Sequence, residues 1–152
     1  MKRIMPFLTV LVCFIFAMSF VIPAAAAGDR CDSCGMKLSE HVNTEYVITF
    51  KDGKTKHYCC PHCGLYVHAE EKANVKSAKA RDFISSKWMD PAKMYFLSGS
   101  SAVPACSPSW IAFGSKSEAE KFQKGFGGEI YGFEDALKER MKQPKMMEKM
   151  PK

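Results

Sequence analysis

The residues with the clearest chemical potential are two thiols and a thioether within six positions, at Cys31, Cys34 and Met36. Thiolate and thioether sulfur atoms together form the ligand set that selects soft ions, Cu(I) above all. Zinc is satisfied by thiolate and imidazole ligands and gains little from a thioether. The methionine beside the second cysteine therefore favours copper at this stretch.

A second group of soft ligands lies at residues 57–63, where the sequence reads His-Tyr-Cys-Cys-Pro-His-Cys. Cys60 and Cys63 stand three positions apart, and the proline between them suits the first turn of a helix. A helix N-terminus lowers the pKa of a thiol and favours the thiolate that binds metal. His62 is the best placed of the histidines to add a nitrogen ligand. Cys59 is at a predicted strand end beside Cys60, so its side chain is expected to point to the opposite face.

The distribution of the cysteines differs from that of a disulfide-rich protein. Of the six cysteines that follow residue 27, five lie in the two groups above and Cys106 stands alone. Tight clusters are more typical of metal or redox chemistry than of bridges that staple distant loops. A disulfide within either group stays open as an alternative.

Three kinds of chemistry fit these residues. The first is a four-cysteine zinc site, because two Cys-x-x-Cys-Gly segments are separated by the 25 residues between Cys34 and Cys60, close to the spacing of structural zinc modules. The second is thiol–disulfide exchange at Cys60 and Cys63, although the predicted elements do not form the parallel βαβ core of such enzymes. The third is Cu(I) handling, which also accounts for Met36 and for the surplus of soft ligands.

The elements that must position these residues follow from local patterns in the first half of the chain. Residues 45–50 are rich in β-branched and aromatic side chains and predict a strand. The Asp-Gly turn within 51–54 supplies a positive φ and returns the chain as a second strand over 55–59. A short helix is predicted over 61–72 and a further strand over 80–89.

The second half repeats this order. We predict strands at 93–97, 110–113 and 129–131, and helices at 116–124 and 133–142. Ser115 is the predicted N-cap of the first of these helices, with Glu118 completing a capping box. In the last helix, Leu137 and Met141 are expected to face inward. The predicted fold class is therefore α+β, with two small β-β-α-β halves packed together, at about 28–90 and 91–142.

The first 27 residues predict export. A basic opening, the apolar run of residues 4–22 and the alanines at 24–27 are the parts of a secretory signal peptide, with cleavage expected after the last alanine. The apolar run is nearly long enough for an uncleaved membrane anchor, which is the alternative. Cys31 follows an Asp-Arg pair rather than small residues, so no lipid anchor is expected. The predicted exported, periplasmic chain is residues 28–152.

Charge and motifs argue against several other functions. Residues 28–152 carry 20 basic and 16 acidic side chains spread along the chain, which is typical of a solvated surface rather than of a nucleic-acid interface. No Ser-His-Asp order, phosphate loop or pair of carboxylates is visible, so an enzyme is not expected. Residues 143–152 are predicted to be a flexible tail rich in Met and Lys, with a weak auxiliary thioether site for copper as the alternative.

Four motifs, taken in order, resemble those of a known family. They are Cys34-Gly35-Met36, then Asp52-Gly53 followed by residues 58–63, then Asp90 followed by residues 92–100, and finally Ile111-Ala112-Phe113 with the later Gly127-Gly128. Together they cover roughly residues 31–137. In this order they are similar to the NosL family, exported copper-binding accessory proteins of nitrous-oxide reductase.

The resemblance implies both a fold and a site. Members of the family have two β-β-α-β halves, a topology shared with organomercurial lyase, which agrees with the repeat predicted above. Their Cu(I) site uses a Cys and a Met of the first motif, here Cys34 and Met36, with a further Met from the second half. Cys106 stands at the corresponding place in this chain and is expected to replace that methionine.

The sequence thus predicts a Cu(I)-binding metallochaperone that delivers copper to a periplasmic cuproenzyme, most simply nitrous-oxide reductase, or exchanges it with a copper donor. Membrane contact is expected only if the leader stays uncleaved. The alternatives are a thiol–disulfide oxidoreductase and a binding module stabilised by Zn²⁺. The candidate metal ligands are Cys34, Met36, Cys106, Cys31, Cys60, Cys63 and His62.

Overall fold

The computed structural model describes residues 28–144, which contain seven strands and three α-helices. The leader predicted over 1–27 and most of the tail predicted over 143–152 lie outside the described residues. The strands are β1 (Tyr46–Phe50), β2 (Thr55–Tyr58), β3 (Val75–Arg81), β4 (Trp88–Met89), β5 (Tyr95–Ser98), β6 (Trp110–Phe113) and β7 (Glu129–Gly132). The helices are α1 (Pro61–Glu70), α2 (Lys116–Phe126) and α3 (Phe133–Lys142). Within the described part of the chain, no helix is both long and apolar enough to cross a membrane.

The first sheet is antiparallel and has the strand order β2-β1-β3-β4. Tyr46 and Ile48 of the inner strand β1 are fully buried. The predicted hairpin between β1 and β2 is confirmed, and Gly53 in its turn has a φ of +87°, a conformation that only glycine adopts without steric cost. α1 follows β2 and packs against β1.

The second sheet has the order β6-β5-β7 and is also antiparallel. α2 connects β6 to β7 and begins as predicted, because the Ser115 hydroxyl oxygen accepts a hydrogen bond from the backbone N–H of Glu118 at 3.3 Å. The same hydroxyl donates to the Glu118 carboxylate at 3.1 Å, whereas in the predicted capping box that carboxylate would accept the backbone N–H of Ser115. The predicted fold class, α+β with two β-β-α-β units, is confirmed.

The single strand predicted over 80–89 is wrong. β3 and β4 are separate strands that pair antiparallel and are joined by a turn at 82–87. The carboxylate of Asp82 accepts hydrogen bonds from the backbone N–H groups of Ser85 and Gly114, both at 2.9 Å. An aspartate that satisfies nearby N–H groups in this way favours a turn over a continued strand.

The inward orientation predicted for Met141 is also wrong, whereas that of Leu137 is confirmed. Met141 is 45% exposed and Leu137 only 4%. The last inward position of α3 is taken by Arg140, which is 1% exposed. Met141 follows it and is rotated by about 100° around the helix axis, away from the core.

Arg140 joins the last helix to the first and so ties the two halves together. Its Nε donates a hydrogen bond to the carbonyl oxygen of His62 at 2.7 Å, and its guanidinium lies 4.9 Å from the ring centre of Tyr66. Its Nη1 donates to the carbonyl of Gln143 at 3.1 Å. This buried cation therefore fixes α3 against the end of α1 that carries the cysteines.

His68 gives the packing of α1 an acid-sensitive contact. Its Nδ1 lies 2.8 Å from the hydroxyl oxygen of Tyr46, and its ring packs edge-on against Phe133. Burial, helped by the charge of Lys72, lowers the pKa of His68 to about 4. The unfolded imidazole has a pKa of about 6.5. Because the unfolded chain binds more protons between these two values, the folded state loses stability as the pH falls through this window.

We expect His68 to account for a loss of up to about 3 kcal/mol in the free energy of unfolding between about pH 6.5 and pH 4. Denaturant unfolding of the reduced, metal-free protein at pH 7 and at pH 4.5 measures the loss. A His68→Asn variant should lose clearly less between the same two pH values. An equal loss in the variant and in the parent protein would contradict the assignment.

Candidate metal centre

A tight turn presents the first group of ligands. The backbone N–H of Cys31 donates to the carbonyl of Met36 at 2.8 Å, and that of Gly35 donates to the carbonyl of Cys31 at 2.9 Å. Gly35 has a φ of +75°, which explains the glycine in this motif. The turn is anchored to β2 by Asp32, whose N–H donates to the carbonyl of His57 at 2.9 Å and whose carboxylate accepts the N–H of His57 at 2.7 Å. The turn therefore lies beside the second group of ligands.

The second group lies where β2 ends and α1 begins. Cys60 is the residue before the helix and has extended backbone angles, and Pro61 takes the first helical position as predicted. The backbone N–H of Cys63 donates to the carbonyl of Cys60 at 3.1 Å. This first turn of the helix holds the two cysteines on one side of the junction.

Cys59 points into the same space, so the prediction that it faces away is wrong. β2 ends at Tyr58, and the strict alternation of strand side chains no longer applies at the next residue. The Sγ of Cys59 lies 3.5 Å from that of Cys34 and 3.8 Å from that of Cys60. Cys59 is thus a site residue that was missed, and its position beside Cys60 was the only signal for it in the sequence.

Cys106 reaches the site from the loop between β5 and β6. The backbone N–H of Gly99 donates to the carbonyl of Ser109 at 2.9 Å and closes the base of this loop. The Nδ1 of His41 lies 3.1 Å from the carbonyl oxygen of Pro104, which ties the loop to the first half. The second half thereby contributes a thiol to a site that is otherwise built by the first.

The Sγ of Cys106 is the central sulfur of the site. It lies 4.0 Å from the Sγ of Cys34, 3.5 Å from that of Cys59 and 3.7 Å from that of Cys63. The Sδ of Met36 is 3.8 Å away. The fold therefore brings Cys34, Met36 and Cys106 together, the three residues that the resemblance implied as copper ligands.

We call the seven sulfur atoms at this place the sulfur cluster, formed by Cys31, Cys34, Met36, Cys59, Cys60, Cys63 and Cys106. Two sets of four thiols within it have all their Sγ atoms within 4.8 Å of one another: Cys31, Cys34, Cys59 and Cys63 in one, and Cys59, Cys60, Cys63 and Cys106 in the other. Two thiolates with bonds of about 2.3 Å to one tetrahedral ion lie about 3.8 Å apart. The observed spacings therefore suit metal coordination.

The sulfur cluster is unevenly accessible. Cys34 and Met36 are partly exposed, whereas Cys31, Cys60 and Cys106 are at least 96% buried, as are Cys59 and Cys63. A soft ion can therefore be approached from the side of Cys34 and Met36, and the remaining thiols lie behind them.

The thiols of the sulfur cluster share protons unequally. The pKa of Cys34 is held well below its usual value, above all by its side-chain hydrogen bond with Cys106. The pKa of Cys60 is lowered in the same way by Cys106. The pKa values of Cys59 and Cys63 are raised by side-chain hydrogen bonds. For both residues the bond with Cys106 has the largest effect, and bonds with other thiols add to it. The thiolate is the form that binds metal, so the lowered pKa of the partly exposed Cys34 favours metal binding at this thiol.

His62 is buried close to these thiols, but the structure does not bring it into either set of ligands. Its ring nitrogens have no hydrogen-bond partner among residues 28–144. His62 is also absent from both sets of four residues whose ligand atoms lie within 4.8 Å of one another. Burial, together with the positive charge of Arg140, lowers the pKa of His62 to about 4. The imidazole is therefore neutral at pH 7. A role for His62 as a metal ligand stays a prediction.

The geometry separates the redox interpretation from the metal interpretation. All six described cysteines are free thiols. Cys60 and Cys63 are each 1% exposed, whereas the reactive thiols of disulfide oxidoreductases are partly exposed. Both sheets of the described chain are antiparallel, unlike the parallel core expected of such an enzyme. These features favour metal binding over exchange with a protein disulfide.

The fold and the sulfur cluster together define an α+β protein with a thiol-rich centre for a soft metal ion. The family model of NosL matches residues 23–141, which is well over half of the sequence. The chain belongs to the NosL family, and the resemblance drawn from its motifs is confirmed.

The chain is similar to a curated protein and to a solved structure. The HTH-type transcriptional repressor CutR of Bacillus subtilis (strain 168) is 27% identical over 116 residues, which cover 76% of this chain and 60% of the relative. The chain therefore spans less than two thirds of the length of that curated relative. The crystal structure of the copper chaperone NosL from Shewanella denitrificans matches with a TM-score of 0.65 at 22% identity, over 72% of this chain and 90% of the other. At this identity the match shows a shared fold.

Proposed function

We propose that the protein is an exported Cu(I)-binding metallochaperone that delivers copper to a periplasmic cuproenzyme, most simply nitrous-oxide reductase. The observation that carries the proposal is the thioether of Met36, whose Sδ lies 3.8 Å from the Sγ of Cys106 within a cluster of thiols. Thioether and thiolate sulfur in one site favour Cu(I) over harder ions. Copper is the cargo of this protein, and its own residues bind and release it.

The ligands of the proposed site are the partly exposed Cys34 and Met36 and the buried Cys106. The Sγ of Cys106 lies 4.0 Å from the Sγ of Cys34 and 3.8 Å from the Sδ of Met36. Cys34 and Met36 are partly exposed, so the ligands of a partner can approach the ion and displace them one at a time. A low-coordinate and partly exposed site is what delivery by ligand exchange requires. Cys31, Cys60 and Cys63 supply further thiolates behind it.

Membership of the NosL family supports this proposal, as does the shared fold with a structure described as a copper chaperone. Export and a periplasmic location are proposed from the leader pattern of residues 1–27. We propose residues 28–142 as the copper-binding domain, and 143–152 as a tail rich in Met and Lys outside that domain.

A binding titration tests the proposal against the zinc alternative. Reduced protein comprising residues 28–152 is titrated under anaerobic conditions with Cu(I) and separately with Zn²⁺, each against a competing chelator. Cu(I) is expected to bind more tightly. Tight Zn²⁺ binding at four thiolates, with loss of the fold upon chelation, would replace the copper proposal by that of a zinc-stabilised module.

A Met36→Leu variant should weaken Cu(I) binding at least about tenfold, since removal of even an outer partner of a metal ligand costs this much or more, and it should leave the Zn²⁺ affinity unchanged. The matched control is Met89→Leu, because Met89 is another partly buried methionine but lies on β4. If both variants bind Cu(I) like the parent protein, Met36 is not a ligand and the observation behind the proposal fails.

Delivery is tested separately by mixing the Cu(I)-loaded protein with copper-free nitrous-oxide reductase across a size-exclusion separation. Copper should move to the enzyme faster from the loaded protein than from a small chelate of equal affinity. Transfer at the same rate from both would leave a copper-binding protein without a delivery role.

A further inference from the structure

The deeper side of the sulfur cluster contains a second, nearly complete set of ligands. The thiols of Cys59, Cys60 and Cys63 are fully buried and, with Cys106, have all their Sγ atoms within 4.8 Å of one another. The outer site proposed above, formed by Cys34, Met36 and Cys106, uses only one of these four sulfur atoms. Two or three soft ligands are enough for one Cu(I) ion, so an ion bound by Cys34, Met36 and Cys106 does not need Cys59, Cys60 and Cys63 as ligands.

We infer that a second Cu(I) ion binds to Cys59, Cys60 and Cys63, with the thiolate of Cys106 bridging the inner and the outer copper. This inference rests on the proposed function and adds a second ion to it. The protein would then carry a dinuclear copper–thiolate core, with an accessible outer ion and a buried inner one.

The distances around Cys106 support its bridging position. On the outer side, its Sγ lies 4.0 Å from the Sγ of Cys34 and 3.8 Å from the Sδ of Met36. On the inner side, it lies 3.5 Å from the Sγ of Cys59 and 3.7 Å from that of Cys63. One sulfur is thus within metal-sharing distance of both ligand sets. Thiolate sulfur has the lone pairs to bind two soft ions at once, whereas a thioether is a weaker bridge.

The charges around the inner set also suit a metal–thiolate core. The guanidinium of Arg140 is buried beside α1, and its Nε donates to the carbonyl of His62, the residue before Cys63. A fixed positive charge at this depth offsets part of the negative charge that several thiolates on two monovalent ions leave behind. Without such a cation, the inner thiols would bind copper at a larger desolvation cost.

Loading of this core requires only proton release. Each cysteine that becomes a ligand gives its thiol proton to solvent as its sulfur binds copper. The copper enters and leaves as Cu(I), so no electron is transferred and no oxidant is needed. The inner ion is separated from solvent by the outer ligands, and we therefore expect it to be released more slowly than the outer ion.

The count of bound ions tests the inference on the unmodified protein. Native mass spectrometry of reduced protein comprising residues 28–152, loaded anaerobically with excess Cu(I), should show two copper ions per monomer. X-ray absorption at the copper edge should show copper–copper scattering at two equivalents but not at one. A single ion per monomer would overturn the inference while leaving the proposed function intact, and no bound copper would overturn both.

Two variants locate the ions. Cys60→Ser/Cys63→Ser should bind one copper, and so should the matched outer variant Cys34→Ser/Met36→Leu. Circular dichroism before loading checks that each variant is folded. If a folded Cys60→Ser/Cys63→Ser variant still binds two ions, these two thiols are not ligands of the inner ion and the inference is wrong. If that variant unfolds, the X-ray absorption experiment on the parent protein still shows whether a second copper ion binds close to the first.

Discussion

Replacing Cys106 with serine is expected to weaken Cu(I) binding more than any other single cysteine substitution. Its Sγ lies within 4.0 Å of the sulfur atoms of Cys34, Met36, Cys59 and Cys63. Serine keeps the size and polarity of the side chain but replaces a soft donor by a hard one, which Cu(I) binds poorly. Loss of a direct ligand should exceed the effect of losing an outer-shell partner, so we expect a loss of more than about 100-fold in affinity.

The measurement is the Cu(I) dissociation constant obtained by competition with a chelator, determined for Cys106→Ser and for Cys31→Ser in parallel. Cys31 is the natural comparison because it is equally buried, with 4% exposure for both residues, yet it belongs only to the thiol set without Cys106. We expect a smaller loss for Cys31→Ser. If the two variants lose the same affinity, Cys106 is not the central ligand of the site.

A Gly64→Ala substitution should destabilise the fold more than other small changes in α1. A Cβ atom at Gly64 would lie 2.3 Å from Cγ and 2.4 Å from Cδ1 of Tyr46. Tyr46 is fully buried and its hydroxyl contacts His68, so the ring cannot move aside without the loss of that contact. Although alanine is the better helix former by about 1 kcal/mol, we expect a net loss of about 3 kcal/mol in the free energy of unfolding.

Gly125→Ala is the matched control, because Gly125 also lies in a helix but a Cβ there would meet nothing within 4 Å. This variant should be unchanged or more stable by up to about 1 kcal/mol, from helix propensity alone. Denaturant unfolding of both variants in the reduced, metal-free state gives the comparison. Equal stability of the two variants would mean that α1 does not pack on Tyr46 as closely as described.

Much of the fold was predictable from local patterns. The hairpin of β1 and β2 follows from a β-branched run and an Asp-Gly turn, and the start of α2 follows from the capping residues Ser115 and Glu118. These features depend only on residues that are close in sequence, so the sequence alone is enough to predict them. The repeat of β-β-α-β order then indicated the fold class, since the apolar face of each sheet must be covered by another element.

Two of the wrong predictions depended on contacts between distant residues. The turn at 82–87 is stabilised in part by Gly114, which is far away in sequence. Met141 was expected to face inward, but Arg140 takes the last inward position because it reaches the carbonyl of His62 on another helix. Neither partner can be identified from the spacing of residues in one element.

The sequence by itself determined the chemistry of this protein. Two groups of soft ligands, a methionine beside a cysteine and the motifs of the NosL family are all properties of the linear chain. Only the tertiary structure decided which sulfur atoms meet. Cys59 turns inward because β2 ends one residue before it, and Cys106 becomes the central thiol because the loop after β5 folds onto the first half. Ligand type is set residue by residue, whereas a shared coordination sphere requires distant segments to pack within a few ångströms of one another.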